Sequence, residues 1–259
     1  MSQRISVCIL ARNEAGKIEH ALESARACAW VDEIIVFDSG STDGTVEIAR
    51  RFTERVEHQP WVGFSTNRQR IVAAARNDWV FVLDADEEIS PELCAEIAAL
   101  GEDDFRGHPV FTMPRRNYLL GRHVRAWDPD RIDRLFHRGR VRWPKRAVHD
   151  YREPLDGTPG ALRSALLHNR HANNWRDYFD GERYASRTDE LAREMYEDGR
   201  RVGFVGLWLR PWWTFVKFFL FRGGFMDGAF GLLIAQKAAF SVQLKYARLW
   251  QMQREATQP

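Results

Sequence analysis

Cysteine is scarce in this chain of 259 residues: the three present, Cys8, Cys28 and Cys94, form neither a CxxC pair nor a Cys/His ligand spacing. That argues against structural zinc and makes disulfides unexpected, as in a reducing compartment. No long apolar run follows the short amino-terminal stretch Ile5 to Leu10, and no small-residue cleavage site stands behind it, so no secretion signal is expected. Glycine-rich phosphate loops are missing too. The residues after the first apolar run, Ala11-Arg12-Asn13-Glu14-Ala15-Gly16, are not the triphosphate loop that a sugar-phosphate nucleotidyltransferase would carry. There are no repeats and no low-complexity tracts. No RNA- or DNA-binding motif accompanies the basic residues, so nucleic acid is not the expected partner.

What is present is globular: 44% apolar and 29% charged residues, enough for one large α/β domain or one domain with an appendage. The net charge of +2 conceals an asymmetry. Residues 1–106 carry 20 acids and 11 bases, a balance of −9, whereas residues 107–259 carry 16 acids and 27 bases, a balance of +11. Opposite signs point to different clients, a metal or nucleotide in the first part and an anionic acceptor or lipid surface in the second. A solvated basic face is the plain alternative.

Strand and helix signals alternate through the first hundred residues, the pattern of a mostly parallel sheet covered by helices. Ile5 to Leu10 reads as the first strand, Asn13 as the cap of a helix with Ile18, Ala21, Leu22 and Ala25 on one face, and Ile34 to Phe37 as the second strand. A short strand near Arg55 to His58 precedes a helix from a Ser65 cap to Ala75, which leads into Trp79 to Leu83. Three strand ends thus deliver polar groups: Asn13-Glu14, Asp38 with Asp43, and Asp84 with Asp86. In an open parallel sheet such groups meet outside the carboxyl ends of the strands.

Asp84-Ala85-Asp86 is the sharpest of these. Residues two apart on an extended strand share a face, so the two carboxylates converge while Ala85 points away, a donor set suited to Mg²⁺ or Mn²⁺ with substrate phosphates. On spacing alone a second reading stays open: the acids from Asp84 to Glu88 lead into a helix capped by Ser90-Pro91-Glu92.

After residue 107 the pattern is mixed, with shorter strands expected at Val110 to Met113, Ile132 to Phe136 and Ala161 to Leu167, and a polar helix from Trp175 to Gly199. The segment Gly203 to Phe221 is rich in Trp and Phe but interrupted by Arg210, Pro211 and Lys217, which would be costly inside hydrocarbon. Flanked by Arg200, Arg201 and Arg222, it fits the headgroup boundary of an anionic leaflet; packing on the main domain or a homodimer interface is the competing reading. A last helix after Gly223-Gly224 carries an apolar stripe at Leu232, Ala235, Ala239, Val242, Tyr246 and Leu249, opposite Lys237, Ser241, Lys245 and Arg248. The expected division is 1–170 for the α/β domain that carries the polar strand ends and 171–259 for a helical, membrane-associating or dimerising extension.

The ordered set Ala11-Arg12-Asn13-Glu14, Asp38-Ser39-Gly40-Ser41-Thr42-Asp43-Gly44-Thr45, Arg68 and Arg70 on one helix, and Leu83-Asp84-Ala85-Asp86-Glu87 resembles the family-2 inverting glycosyltransferases of GT-A fold. Arg134-Leu135-Phe136, Val148-His149-Asp150, Phe225-Met226-Asp227-Gly228 and Lys245 to Trp250 are similar to the bacterial lipopolysaccharide-core glucosyltransferase branch, so the resemblance spans nearly the whole chain. It implies a UDP-sugar donor whose nucleotide is lined by Ala11, Asn13, Glu14, Asp38, Arg68 and Asp84. It also implies a Mg²⁺ or Mn²⁺ ion at Asp86 with His149 as a further contact, and Asp150 as the base that deprotonates the acceptor. Asp128, Asp130 and Asp133 compete for that last role, and His149 reads equally as a structural histidine. The family more often carries Glu where Asp150 stands and Asn where Gln69 stands. Between Arg131 and Arg146 lie seven Arg or Lys residues, a cluster able to hold an anionic glycolipid acceptor. The implied location is the cytoplasm, peripherally on the inner face of the cytoplasmic membrane.

Overall fold

The computed structural model describes residues 3–143, 152–170 and 181–256. The chain divides into two compact units, one formed by Met1–Tyr118 with Pro129–His171 and the other by Leu119–Asp128 with Ala172–Pro259.

In the first unit the elements run β1 (Ile5–Ala11), α1 (Ile18–Arg26), β2 (Val31–Asp38), α2 (Thr45–Ala49), β3 (Val56–His58), α3 (Phe64–Ala74), β4 (Trp79–Asp84), β5 (Glu87–Ile89), α4 (Pro91–Ala98), α5 (Glu102–Gly107), β6 (Val110–Leu119), β7 (Arg131–His137) and β8 (Leu166–Arg170). The main sheet has the order β3-β2-β1-β4-β7-β6-β8-β5. Its first four strands are parallel, and β7 joins β4 antiparallel, as β6 joins β7 and β8 joins β5. This is the α/β architecture expected of a GT-A fold.

Helices on both faces explain why the parallel strands read as continuous apolar runs. Along β1, Ile5, Val7, Ile9 and Ala11 enter one core with α1 and α4, whereas Cys8 enters the other with Ile71 and Val72 of α3. In β4 the same alternation sends Trp79, Phe81 and Leu83 one way and Val80 and Val82 the other. Each such fully buried large side chain contributes about 1.5–3 kcal/mol. Register then fixes the functional edge: Ala11 pairs with Asp38, and Leu10 with Asp84, so three strand ends finish at one level.

Local chemistry departs from the sequence expectation in five places. Asn13 does not cap α1, since the N-cap is Lys17 with no side-chain bond and Asn13 sits in the left-handed region (φ 55°). Nor does Ser65 cap α3, which starts one residue earlier behind Gly63; Ser65 Oγ instead accepts from Gln69 Nε2 at 3.1 Å. Ser90 is a true cap, accepting from the Leu93 N–H at 3.1 Å with Pro91 in the first turn. The absence of disulfides is overturned: Cys28, just past α1, bonds to Cys94 of α4 with their Cα atoms 5.6 Å apart. The two helices lie on one sheet face, and 66 residues of separation hide that proximity from any spacing rule. The expected strand at Val110 runs on to Leu119, and that expected from Ala161 to Leu167 is instead a two-residue strand, Gly160–Ala161, followed by β8.

The second unit contains α6 (Gly181–Glu197), α7 (Phe204–Val216) continued by a π-helical turn Lys217–Phe221, a 3₁₀ turn Gly224–Asp227, and α8 (Ala229–Glu255). Leu119, Val124 and Ala126 pack with Phe230 and Ile234, and Ala192, Val202 and Leu249 form a second small core. Gln253 ties Val202 at both its N–H (2.8 Å) and its carbonyl (3.1 Å). At the start of α8 a Cβ on Gly231 would lie 1.8 Å from the Gly224 carbonyl oxygen, so only glycine lets these backbones cross. Lys237, expected on the polar face of α8, is buried, as are Phe230 and Ile234 outside the expected stripe. Among the described residues no helix is long and apolar enough to cross a membrane.

Candidate active site

Two loops at the parallel strand ends are laced to each other by short polar side chains. The Asn13 N–H donates to Ser41 Oγ at 2.9 Å, and Asn13 Oδ1 accepts from the Thr42 N–H at 2.8 Å. The Glu14 N–H donates to Thr45 Oγ1 at 2.8 Å and the Ala15 N–H to Asp43 Oδ2 at 3.1 Å. Ala11 contributes its carbonyl, which accepts from the Ser39 N–H at 2.9 Å. Asp38 turns its own loop: Oδ2 accepts from the N–H groups of Gly40 and Ser41 at 3.0 Å each, and Oδ1 from the Ser41 hydroxyl. Buried Asp38 therefore shapes the loop, in the manner of an Asx turn.

The third strand end is a charge cluster. Asp84 closes β4, and Ala85-Asp86 forms a turn into β5. The extended geometry that would put both carboxylates on one face is absent, and the two acids have different partners. Asp84 Oδ1 accepts from Arg68 Nη2 at 2.6 Å and Oδ2 from Arg134 Nη2 at 2.5 Å. Burial alone would raise the Asp84 carboxyl, but the Arg134 and Arg68 guanidiniums outweigh it and hold the group far below the usual carboxylate range. Glu87, fully buried, accepts from Arg134 at 2.6 Å, Arg115 at 3.3 Å and the Asp84 N–H at 3.1 Å.

Asp86 turns the other way. Its Oδ2 lies 3.4 Å from His168 Nε2, and His168 sits on β8 directly opposite Glu87. Burial raises the Asp86 carboxyl, while His168 lowers it by more. Behind them, His168 Nδ1 lies 2.7 Å from Asn117 Oδ1, Asn117 Nδ2 donates to Asp130 Oδ2 at 3.1 Å, and Arg115 Nε donates to the same oxygen at 2.8 Å. A continuous polar chain thus runs Arg68, Asp84, Arg134, Glu87, Arg115, Asp130, Asn117, His168, Asp86. Sequence reasoning missed Glu87, Arg115, Arg134, Asn117 and His168 as members. The available signal was an ionisable residue set against a buried apolar pair, Arg134 before Leu135-Phe136 and His168 after Leu166-Leu167.

The expected basic acceptor cluster from Arg131 to Arg146 is largely consumed by the fold. Arg131 donates to the carbonyls of Thr112 (3.0 Å) and Leu162 (2.9 Å), and Arg134 belongs to the buried cluster. Arg138 binds Asp78 and the Ala75 carbonyl, and Arg140 binds Asp156 and the Phe105 carbonyl. The antiparallel strands bury their ends among backbone carbonyls, and guanidiniums satisfy them. Lys145 and Arg146, like His149 and Asp150, lie outside the described residues. Of the competing acids, Asp130 is held by Arg115 and Asn117, Asp133 by the N–H and guanidinium of Arg152, and Asp128 faces His123 at 2.9 Å.

Among the described residues no three acids, histidines or cysteines gather to enclose a metal. Both Asp84 oxygens are taken by arginines, which leaves the Asp86 carboxylate and the His168 imidazole as a pair facing each other. A pair fits a Mg²⁺ or Mn²⁺ ion that draws its remaining ligands from phosphates and water.

The chain is 28% identical over 260 residues to an uncharacterized glycosyltransferase of Rickettsia felis, covering 95% of this chain and 89% of that one. It is 28% identical over 261 residues to LpsC of Rhizobium meliloti, named as a lipopolysaccharide core biosynthesis glycosyltransferase, with 95% and 92% covered. Among solved structures, Staphylococcus aureus TarS 1–349 with UDP-GlcNAc aligns at TM-score 0.48 and 13% identity over 98% of this chain and 92% of that one. Residues 6–155, more than half of the chain and all three strand-end motifs, match the family description "Glycosyl transferase family 2", so this protein is a member of glycosyl transferase family 2.

Proposed function

We propose that the chain transfers a hexose, with UDP-glucose the leading donor, to an anionic lipid-linked acceptor such as the lipopolysaccharide inner core, with inversion at the anomeric carbon and with Mg²⁺ or Mn²⁺. The observation that carries the reading is the convergence of three polar strand ends, Ala11 to Glu14, the Asp38 loop and the Asp84-Asp86 turn, on one sheet edge beside Arg68. The name of the Rhizobium relative supports the acceptor class.

In this reading the Asn13 and Asp38 loops receive uracil and ribose through backbone groups already fixed by Ser41, Thr42 and Asp43, so little ordering is required on binding. Asp84, kept ionised by Arg68 and Arg134, faces the ribose hydroxyls as an acceptor. Asp86 with His168 is where the chain would hold the divalent cation, which supplies neutralising charge for the departing diphosphate. Asp150 takes the proton of the acceptor hydroxyl as its oxygen bonds to the anomeric carbon, and the bond to UDP breaks with its electron pair going to the phosphate oxygen. The acceptor brings the enzyme to the inner leaflet: between Gly199 and Asp227 stand five cations and no acid, and the outer half of α7 is apolar.

Isothermal titration of UDP with and without Mn²⁺ tests the donor half, with binding strengthened by the ion as the expected result and no binding in either condition as the refutation. Asp150→Asn is expected to abolish transfer onto truncated lipopolysaccharide cores while leaving UDP binding intact. Near-normal turnover would move the base elsewhere.

A further inference from the structure

Asn117 on β6 is buried at 3% exposure and gripped on both sides of its amide. The two ends of an amide have nearly the same shape, so only the chemistry of the neighbours can orient it. On one side stands the Asp130 carboxylate, an acceptor with no proton to give. Asp130 is itself fixed, because Arg115 donates to it through both Nε and the backbone N–H at 2.8 Å. The amide nitrogen of Asn117 must therefore face Asp130, at 3.1 Å, and the amide oxygen must face His168 Nδ1, at 2.7 Å. An oxygen acceptor at that distance requires a hydrogen on Nδ1. The other ring nitrogen, Nε2, faces Asp86 Oδ2 at 3.4 Å. Nε2 and the Asp86 carboxylate thus hold one positive charge between them, a proton or the donor's cation, at a site where His168 is only 8% exposed.

We propose that Asn117, oriented by Asp130 and Arg115, is a positioning residue that locks His168 in its Nδ1–H tautomer and so presents Nε2 with Asp86 as a ligand pair for the donor's divalent cation. This rests on the reading of Asp86 as the group that holds the cation. The device is anchored in the same cluster that holds Asp84: Arg115 also reaches Glu87, and Glu87 shares Arg134 with Asp84. Outer partners of this kind set the tautomer and direction of a ligating imidazole, and their loss costs roughly 10–100-fold in metal affinity.

The test uses the full chain with ¹⁵N-labelled histidine. Two-bond ¹H–¹⁵N spectra of the protein with UDP and Mg²⁺ are expected to show His168 as the Nδ1–H form, assigned by its disappearance in His168→Gln. With UDP and Mn²⁺, pulsed electron paramagnetic resonance is expected to show one imidazole nitrogen coupled to the ion, absent in His168→Gln. Asn117→Leu should mix the tautomers and weaken Mn²⁺ by about tenfold, with UDP affinity in the absence of metal unchanged. Asp130→Asn, which keeps the size but frees the amide to flip, gives the same direction of change should Asn117→Leu fail to fold. A His168 that carries its hydrogen on Nε2 with UDP and Mg²⁺ bound overturns the inference, as does Mn²⁺ affinity untouched by Asp130→Asn. UDP and Mn²⁺ binding together without nitrogen coupling overturns this inference alone, whereas no binding of UDP under any condition overturns the donor reading with it.

Discussion

The two units handle polarity in opposite ways. In the first, charged side chains are taken inside and matched: Glu87 at 0% exposure, Arg134 at 3% and Arg68 at 7% neutralise one another and Asp84 across four different elements. In the second, apolar side chains are left outside: Phe204, Trp208, Trp212 and Phe221 are 81%, 69%, 57% and 72% exposed. Positions 204, 205, 208, 209, 212 and 213 all lie on one half of α7, at the spacing of a helix face. The contrast shows that net charge by segment is a poor guide to where charge is presented. Many of the basic residues after position 107 serve the interior of the first unit, and what the second unit offers to solvent is aromatic surface bordered by a few cations. A contiguous apolar face of this kind is rare on a soluble monomer and marks an interaction site.

The largest expected effect breaks the buried side of the comparison. Glu87→Ala removes the one carboxylate shared by Arg134 and Arg115, so that Arg134 keeps only Asp84, Arg115 keeps only Asp130, and the cluster is left with excess positive charge. The loss should be about 3–5 kcal/mol of folding stability, read by urea denaturation. A loss near zero would mean that water already enters the cluster.

The next effect asks whether the exposed aromatics of the second unit reflect loose packing. Gly231→Ala places a methyl against the Gly224 carbonyl, and overpacking should cost about 1–3 kcal/mol. A neutral result would show that this unit yields where the first does not. The third prediction turns to its surface. Trp208→Ser with Trp212→Ser should leave the urea midpoint within the roughly 0.5 kcal/mol typical of surface changes. Co-sedimentation with anionic vesicles should fall by tenfold or more, and wild-type binding should weaken with added salt. Loss of self-association in place of vesicle binding would assign the face to a second copy of the chain.

Much of the parallel half was legible, because its strands are buried on both faces and its helices carry one apolar stripe, as with Ile18, Ala21, Leu22 and Ala25. The polar strand ends were legible for the same reason: Asp38 and Asp84 interrupt apolar runs. What stayed hidden is everything that depends on chain reversal. The turn at Ala85-Asp86 sends Asp86 toward His168, more than eighty residues away, and no local pattern records that pairing. Asn13 looked like a helix cap because the same side-chain oxygen that caps a helix can instead bind a neighbouring loop, here at Thr42. The arginines of β7 misled in the same manner, since a guanidinium satisfying buried carbonyls and one awaiting an anionic acceptor are identical in sequence.

The smallest effect separates the units by pH. Burial raises the Glu33 carboxyl, but Ser6, the Arg76 N–H and Arg55 together hold it below its ordinary value of 4.5. A carboxyl depressed in the folded state adds stability that is complete above that ordinary value and is lost as pH falls below it. In the second unit, burial first, and then Arg200 and Arg210, lower Lys245 from 10.5. An ammonium whose folded value is depressed subtracts stability at neutral pH, and the penalty is relieved as pH climbs toward 10.5. Thermal melts across pH should therefore show a decline below about 4.5 that Glu33→Gln flattens, and a shallow alkaline rise that Lys245→Met removes. If each substitution flattened the other's limb instead, the two groups would not act independently, and the contrast between a unit that buries matched charge and one that merely tolerates it would fail.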